Sequence, residues 1–165
     1  MQVLVSDTSV LVDLERGELF DLTFMLPYEF IVPDLLFNRE LKGYGGEDLV
    51  ARGLRVAELD ASEVQLAQGT RLDLPVLSLP DAFAYVLAER RGWTLLTGDG
   101  ALRTYSIRHG LRVHGVLWVI DEVARNDPTQ TAALLNGLET IARHPRCRLP
   151  RVELNARLAF LRGQL

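Results

Sequence analysis

Three aspartates in this sequence stand where their carboxylates could meet and hold a metal ion. Asp7 directly follows a short strand-like run, and Asp99 directly follows a second one at residues 93–97. A helix over residues 79–91 would span roughly 20 Å and five extended residues would return about as far, so Asp81 and Asp99 are expected at one end of the fold. Crowded carboxylates repel one another, and a hard cation such as Mg²⁺ or Mn²⁺ relieves that repulsion through oxygen ligands. The three aspartates are therefore candidate metal ligands.

Helix capping is the alternative explanation for each aspartate taken alone. Asp7 and Asp99 precede helical segments and are suitable N-cap residues, and Ser78 with Asp81 fits a capping box. Capping accounts for each acid separately but not for three of them at one edge. Glu40 differs, because it lies near the end of its predicted helix, where the helix dipole disfavours an acid. From its spacing alone, Glu40 is an ordinary solvated glutamate.

The elements that would position these acids alternate between strands and helices. This alternation predicts an α/β fold with a parallel sheet covered on both faces, whose ligands lie beyond the carboxyl ends of the strands. Glycines 43, 45 and 46 are expected to end the second helix and form a mobile loop. Strands are predicted at residues 2–6, 30–32, 54–59, 93–97 and 112–114, and helices near residues 10–14, 35–41, 61–72, 79–91, 101–109, 116–125, 129–143 and 152–161.

Length and composition predict one globular domain over residues 1–165, with an α/β core at 1–114 and a C-terminal helical extension at 115–165. The 48% of hydrophobic residues can form a real core, which argues against disorder. The apolar runs are far shorter than the roughly 20 residues of a membrane helix, and no secretory signal is recognised, so no membrane partner is expected. Cys147 is the single cysteine and excludes an internal disulfide, and the three histidines are scattered and make no zinc site. A reducing cytoplasm is the expected compartment.

The charge of the chain is unevenly distributed. The net charge is −4, yet the segment 143–162 contains six arginines and one acid, so the rest of the chain is strongly acidic. A basic segment on an acidic body is either a solvated face or a contact for a polyanion or an acidic partner. The candidate nucleic-acid contacts in this segment are Arg143, Arg146, Arg148 and Arg151.

Four stretches together resemble the acidic motifs of PIN-domain nucleases. The order of these motifs and the residues around them match the family. The stretch from residue 113 through the helical C-terminus also resembles the tail of a PIN subgroup related to VapC-type toxin ribonucleases. It implies an α/β/α sandwich around a short central parallel sheet, with additional C-terminal helices. The four stretches are Val5-Ser-Asp7-Thr-Ser9, Val32-Pro-Asp-Leu-Leu-Phe-Asn-Arg-Glu40-Leu41, Pro80-Asp81-Ala-Phe-Ala and Leu95-Leu-Thr97-Gly-Asp99.

The resemblance implies a metal-dependent endoribonuclease with Mg²⁺ or Mn²⁺ as cofactor. RNA is the implied substrate, and a cognate antitoxin protein and a homodimer are the implied partners to test. Many relatives carry a further acid four residues after the last aspartate, where this chain has Arg103. The resemblance therefore leaves open whether one or two metal ions bind, and it makes Arg103 a candidate phosphate contact. The implied catalytic and metal-binding acids are Asp7, Glu40, Asp81 and Asp99, with Thr97 as a supporting hydroxyl.

Two alternatives remain at this stage. A haloacid-dehalogenase-type phosphatase also begins with a strand and an aspartate, but it requires a second aspartate two residues later, where this chain has Ser9. A degenerate PIN domain that serves as a binding or scaffold module is the non-enzymatic alternative. Binding of Mn²⁺ through Asp7 and Asp99 would separate a nuclease from a scaffold.

Overall fold

The computed structural model describes all residues 1–165 and contains one sheet of five parallel strands. The spatial order is β3-β2-β1-β4-β5, so β1 lies at the centre and the chain crosses over between β3 and β4. Leu4 pairs with Phe30 on one side and with Thr94 on the other, which fixes the register of the central strands. The strands are β1 (Gln2–Ser6), β2 (Tyr28–Pro33), β3 (Arg55–Ala57), β4 (Thr94–Leu96) and β5 (Val113–His114).

Helices follow the strands and cover both faces of the sheet. The helices are α1 (Thr8–Arg16), α2 (Phe20–Phe24), α3 (Asp34–Leu36), α4 (Gly46–Arg52), α5 (Ala61–Asp73), α6 (Leu79–Arg91), α7 (Gly100–Arg108), α8 (Val116–Asn126), α9 (Thr131–Arg143) and α10 (Arg151–Gly163). A π-helical turn, Phe37–Leu41, continues α3, and a 3₁₀ turn, Pro128–Gln130, precedes α9. None of these helices combines the length and the apolar character needed to cross a bilayer.

The two faces of the sheet bury separate apolar cores, as expected for a three-layer α/β/α arrangement. On one face Val5, Ile31 and Leu95 pack against α6, whose residues 82–88 are all buried. On the other face Leu4 and Val32 pack with residues of α1, α8, α9 and α10. Burial on both faces explains why the central strands are continuous apolar runs rather than alternating ones. The predicted fold class is confirmed.

The C-terminal helices join the same core as the sheet. Leu134, Leu138 and Ile141 of α9 are fully buried in the cluster that also holds Val10 and Leu14 of α1. The approach is close enough to require glycine, because a Cβ on Gly137 would lie 2.7 Å from the carbonyl oxygen of Gly17. The extension therefore shares one packed body with the α/β core.

The structure differs from the predicted elements mainly between residues 17 and 53. The predicted loop around the glycines is instead a tight turn, with Gly43 and Gly45 at φ values of 80° and 94°, that leads directly into α4. Helices α2 and α4 were not predicted. Both are short, and their periodicity is too brief to be read from sequence. The preceding helical turn ends at Leu41, just before the glycines, and positive φ at Gly43 and Gly45 allows the compact reversal.

Candidate active site

Asp7 lies at the centre of the candidate site because the central strand ends directly before it. Its amide donates to the carbonyl oxygen of Leu96 (3.0 Å), so the pairing of β1 with β4 continues into the turn. The residue caps α1: Oδ1 accepts from the Val10 amide (3.2 Å) and from the Ser9 hydroxyl (2.7 Å). The side chain is almost completely buried, with 1% of the residue exposed. A buried carboxylate at the end of the central strand is thus fixed in place by α1.

Thr97 connects Asp7 with Asp99. Its hydroxyl donates to Oδ2 of Asp7 and accepts from the amide of Asp99 (3.0 Å). Asp99 is exposed and caps α7, since its Oδ1 accepts from the Leu102 amide (2.8 Å). Ser9 adds a second connection, because its hydroxyl accepts from the Gly98 amide (2.8 Å). The ends of β1 and β4 are therefore joined by two hydroxyl groups.

Glu40 reaches the site through the π-helical turn. The Lys42 amide donates to the Phe37 carbonyl (2.8 Å), five residues back, and this widened turn changes the direction of the side chains within it. Glu40 is half-buried, and its Oε2 accepts from the Thr8 hydroxyl at the start of α1. The spacing alone predicted a solvated glutamate, and that interpretation was wrong because the π-turn brings the carboxylate against α1.

Asp81 lies in the first turn of α6, near enough to Asp7 and Glu40 for its charge to act on both. Its amide donates to the Ser78 hydroxyl (3.1 Å), which caps the helix. The reciprocal bond of a capping box, from the Ser78 amide to the Asp81 carboxylate, is absent. The negative charge of Asp81 raises the pKa of both Asp7 and Glu40. Its carboxylate thus interacts with Asp7 and Glu40 rather than with the cap. We call the end of the sheet that carries Asp7, Glu40, Asp81 and Asp99 the acidic edge.

The electrostatics of the edge reflect burial first and mutual repulsion second. Burial raises the pKa of Asp7 to about 6, even though hydrogen bonds from Thr97, Ser9 and the Val10 amide favour its ionised form. Burial also raises the pKa of Glu40, and the Asp81 charge adds to it. Three hydrogen-bond donors do not offset the cost of burying the ionised Asp7 carboxylate, and no positively charged group lies beside it to do so. A cation beside these carboxylates would supply that positive charge.

The donor set fits a hard divalent cation, although the side chains are not gathered around one point. All candidate ligands are carboxylate or hydroxyl oxygens, which Mg²⁺ and Mn²⁺ prefer. As placed, no three of the acids, histidines or cysteines come close enough together to hold an ion. The first turn of α1 separates them: Thr8 and Glu40 line one cleft, and Ser9, Thr97 and Asp99 line another.

We call these two clefts the acidic cleft and the arginine cleft. The acidic cleft, about 700 Å³, is lined by Thr8, Glu15, Glu18, Asp21, Glu40 and Asp48, among others. The arginine cleft, about 740 Å³, contains Asp99, Arg103, His114, Trp118, Arg146 and Arg148 in its lining.

The candidate nucleic-acid contacts divide into two groups. Arg103, Arg146 and Arg148 line the arginine cleft together with Asp99. Arg143 and Arg151 do not line it, and Arg143 forms an ion pair with Glu139 (3.1 Å). Of the four arginines, the two in the connection between α9 and α10 therefore lie in the cleft with Asp99, whereas Arg143 at the end of α9 and Arg151 at the start of α10 do not.

Sequence reasoning missed the roles of three side chains at this edge. Thr8 and Ser9 anchor Glu40 and Asp7, and the hydroxyl-rich triplet directly after a buried strand was the available signal. His114 was considered only as one of three scattered histidines that make no zinc site, yet it lines the arginine cleft with its ring stacked on Trp118. The bonds from Thr8 to Glu40 and from the Gly98 amide to Ser9 join residues 32 and 89 positions apart, so no local pattern revealed them.

Comparison with known proteins bears on the fold. A family model described as a PIN domain matches residues 3–161. A solved structure of a PilT N-terminus domain protein from the hyperthermophilic archaeon Sulfolobus solfataricus P2 superposes with a TM-score of 0.52 at 14% identity, covering 74% of this chain and 93% of that one. At this identity the likeness shows a shared fold. No curated protein sequence matches the chain.

Proposed function

Because the chain belongs to the PIN-domain family, whose model spans nearly its full length, we propose that it is a divalent-metal-dependent endoribonuclease. The observation that supports this proposal most directly is Asp7: a buried carboxylate held by Thr97, Ser9 and the start of α1, whose pKa burial raises to about 6. A capping role accounts for the bond from the Val10 amide to Asp7 but not for the two further bonds from the hydroxyls of Ser9 and Thr97. A carboxylate prepared for a cation explains both its burial and its hydrogen bonds.

The residues of the chain have separable tasks in this proposal. Asp7, Glu40, Asp81 and Asp99 would hold Mg²⁺ or Mn²⁺, and Thr97 orients Asp7 by donating to its Oδ2. When bound, such a cation polarises the scissile phosphodiester and acidifies the attacking water. Ser9 keeps the Gly98 amide in place, which fixes the turn that carries Asp99. No protein nucleophile is needed, so the serines act as anchors.

The test is cleavage of single-stranded RNA by purified protein with Mg²⁺. We expect cleavage that EDTA and Asp7→Asn each abolish. Glu29→Gln is the matched control. Glu29 lies near the start of β2, at the end of the sheet opposite the acidic edge, and its carboxylate pairs with Arg55. Cleavage that survives EDTA and Asp7→Asn would refute the proposal.

A scaffold without activity is distinguished by metal binding. Calorimetry with Mn²⁺ should give binding to wild type and weaker or no binding to Asp99→Asn. If neither protein binds Mn²⁺, the scaffold alternative is correct. The phosphatase alternative is not retained, because the PIN-domain match covers the same strand ends on which it depended.

The cellular role we propose is that of a toxin acting in the cytoplasm under the control of an antitoxin protein. Its support is the resemblance of residues 113–118 and the helical tail to the VapC-type subgroup. Expression of wild type in bacteria should arrest growth, whereas Asp7→Asn should not. Light scattering of purified protein tests the proposed homodimer, and co-expression with the neighbouring gene tests the antitoxin.

A further inference from the structure

The arginine cleft contains three guanidinium groups without an acidic partner. Arg16 and Arg157 in the same lining pair with Asp13 (3.6 Å) and Asp121 (3.0 Å). Arg103, Arg146 and Arg148 are exposed and take part in none of the ion pairs of the chain. The lining also contains Asp99 and Glu153, which form no ion pair, so its five arginines exceed its four acids by one. A cleft with net positive charge and three unpaired guanidinium groups, in an otherwise acidic protein, indicates a site for an anion with several charges.

The acidic cleft has the opposite character. Its lining includes five carboxylates, and its single arginine, Arg52, already pairs with Asp21 and Asp48. A chain of phosphates would therefore be repelled on the Glu40 side of α1 and attracted on the Asp99 side. The charge difference between the two clefts therefore favours a polyanion on the Asp99 side of the acidic edge.

An aromatic stack ends in the arginine cleft. The His114 ring lies 4.2 Å from that of Trp118 at an interplanar angle of 2°, and Trp118 in turn packs 5.5 Å from Tyr28. Burial lowers the pKa of His114, and the charge of Arg103 lowers it further, so the ring is neutral at pH 8. A neutral ring backed by an indole is a surface on which an unpaired nucleobase can stack.

We propose that the arginine cleft binds single-stranded RNA on the Asp99 side of the acidic edge, with phosphates on Arg103, Arg146 and Arg148 and one base on His114. This inference rests on the proposed function and specifies where its substrate lies. Single-stranded RNA fits because its bases are free to leave the stack, whereas a duplex keeps them paired. The strand contacts extend to one side of the cleaved phosphate only, since the acidic cleft lies on the other.

The main experiment compares two double variants with the same change in net charge. Arg146→Gln/Arg148→Gln removes two of the three unpaired cleft arginines, and Arg143→Gln/Arg151→Gln removes two nearby arginines that do not line the cleft. The probe is a fluorescein-labelled 12-nucleotide single-stranded RNA, titrated in EDTA at pH 8 and several salt concentrations. Each lost contact should lower the log–log salt slope by about 0.7, so the cleft variant should lose about 1.4 while the control variant keeps the wild-type slope.

A second pair of variants tests the base site. His114→Ala should weaken binding of the same RNA roughly tenfold, and His114→Phe should retain it, because stacking requires a flat ring rather than an imidazole. Circular dichroism melts establish that each variant is folded. Equal weakening by Ala and Phe would refute the stacking role.

Binding without metal separates this inference from the proposed function. If both double variants bind RNA with equal slopes and wild type cleaves RNA, the inference is wrong and the nuclease proposal stands. If the cleft variant loses RNA binding but wild type never cleaves RNA with Mg²⁺ or Mn²⁺, the cleft assignment stands and the nuclease proposal fails. Loss of binding in both variants to the same extent would show attraction by net charge alone, which also refutes the inference.

Discussion

Replacing Asp7 with Asn should stabilise the metal-free protein while removing its proposed activity. The carboxylate is buried, and the neighbouring Asp81 adds repulsion, so its ionised form is disfavoured in the folded state. Asn has nearly the same shape as a protonated Asp, and its Oδ1 can still accept from Ser9 and the Val10 amide. The substitution therefore removes the disfavoured charge and keeps most of the hydrogen bonds.

The magnitude follows from the pKa of Asp7. Burial raises the pKa from 3.8 to about 6, so the folded protein binds this proton more tightly than the unfolded chain does. The proton favours folding below pH 3.8, and this contribution is lost as the pH rises through 6. At pH 7.5 the ionised group costs roughly 3 kcal/mol, and at pH 4.5 about 1 kcal/mol, since one pKa unit corresponds to about 1.4 kcal/mol.

The assay is thermal unfolding in EDTA, followed by circular dichroism at pH 7.5 and pH 4.5. At pH 7.5 we expect Asp7→Asn to raise Tm by about 5–10 °C, and at pH 4.5 by less than half of that. Asp99→Asn is the control: Asp99 is exposed and Asn is an equally good N-cap, so its Tm should change little. Added Mn²⁺ should then stabilise wild type but not Asp7→Asn, because ligands stabilise only the state that binds them. A lower Tm for Asp7→Asn in EDTA at pH 7.5 would refute the burial argument.

Three further predictions concern the support of the site and the packing of the helices. Thr97→Val should lower the free energy of unfolding in urea by about 2 kcal/mol and weaken Mn²⁺ binding, because it leaves Oδ2 of Asp7 and the Asp99 amide without a partner. Thr97→Ser keeps the hydroxyl and should match wild type in both measurements, and a Ser variant as weak as the Val variant would contradict the hydroxyl's role. Asp81→Asn should lower the pKa of Glu40 in a carboxyl NMR titration yet leave it above 4.5, because burial is the larger cause; an unchanged Glu40 pKa would show that the two acids do not interact. Gly137→Ala should destabilise the protein by about 1–3 kcal/mol, because the new Cβ would meet a backbone carbonyl oxygen. Gly69→Ala is the control: this residue lies in open space on α5, so the change should stabilise the protein by up to about 1 kcal/mol. Similar effects of the two substitutions would contradict the close packing of α9 on α1.

Much of the fold could be predicted from sequence because its signals are local. The predicted strand 2–6 and helix 79–91 have the observed bounds, and the central strands were recognisable as apolar runs ended by turn and cap residues. The shortest elements were not recognisable. Helices α2 and α4 have five and seven residues, and elements of that length are formed by their tertiary contacts rather than by their own periodicity.

Within the candidate site, the sequence by itself determined that Asp7 and Asp99 follow strands and cap helices, because strand ends and caps depend on neighbouring residues. The tertiary structure alone decided the direction of Glu40, which depends on a π-helical hydrogen bond that has no sequence signal. It also decided that Arg146 and Arg148, but not Arg143 and Arg151, lie beside Asp99. That choice depends on how the connection between α9 and α10 is placed beside α1, since both segments line the arginine cleft although they are more than a hundred residues apart. No local pattern encodes such a contact, because its energy comes from packing surfaces that exist only in the folded chain.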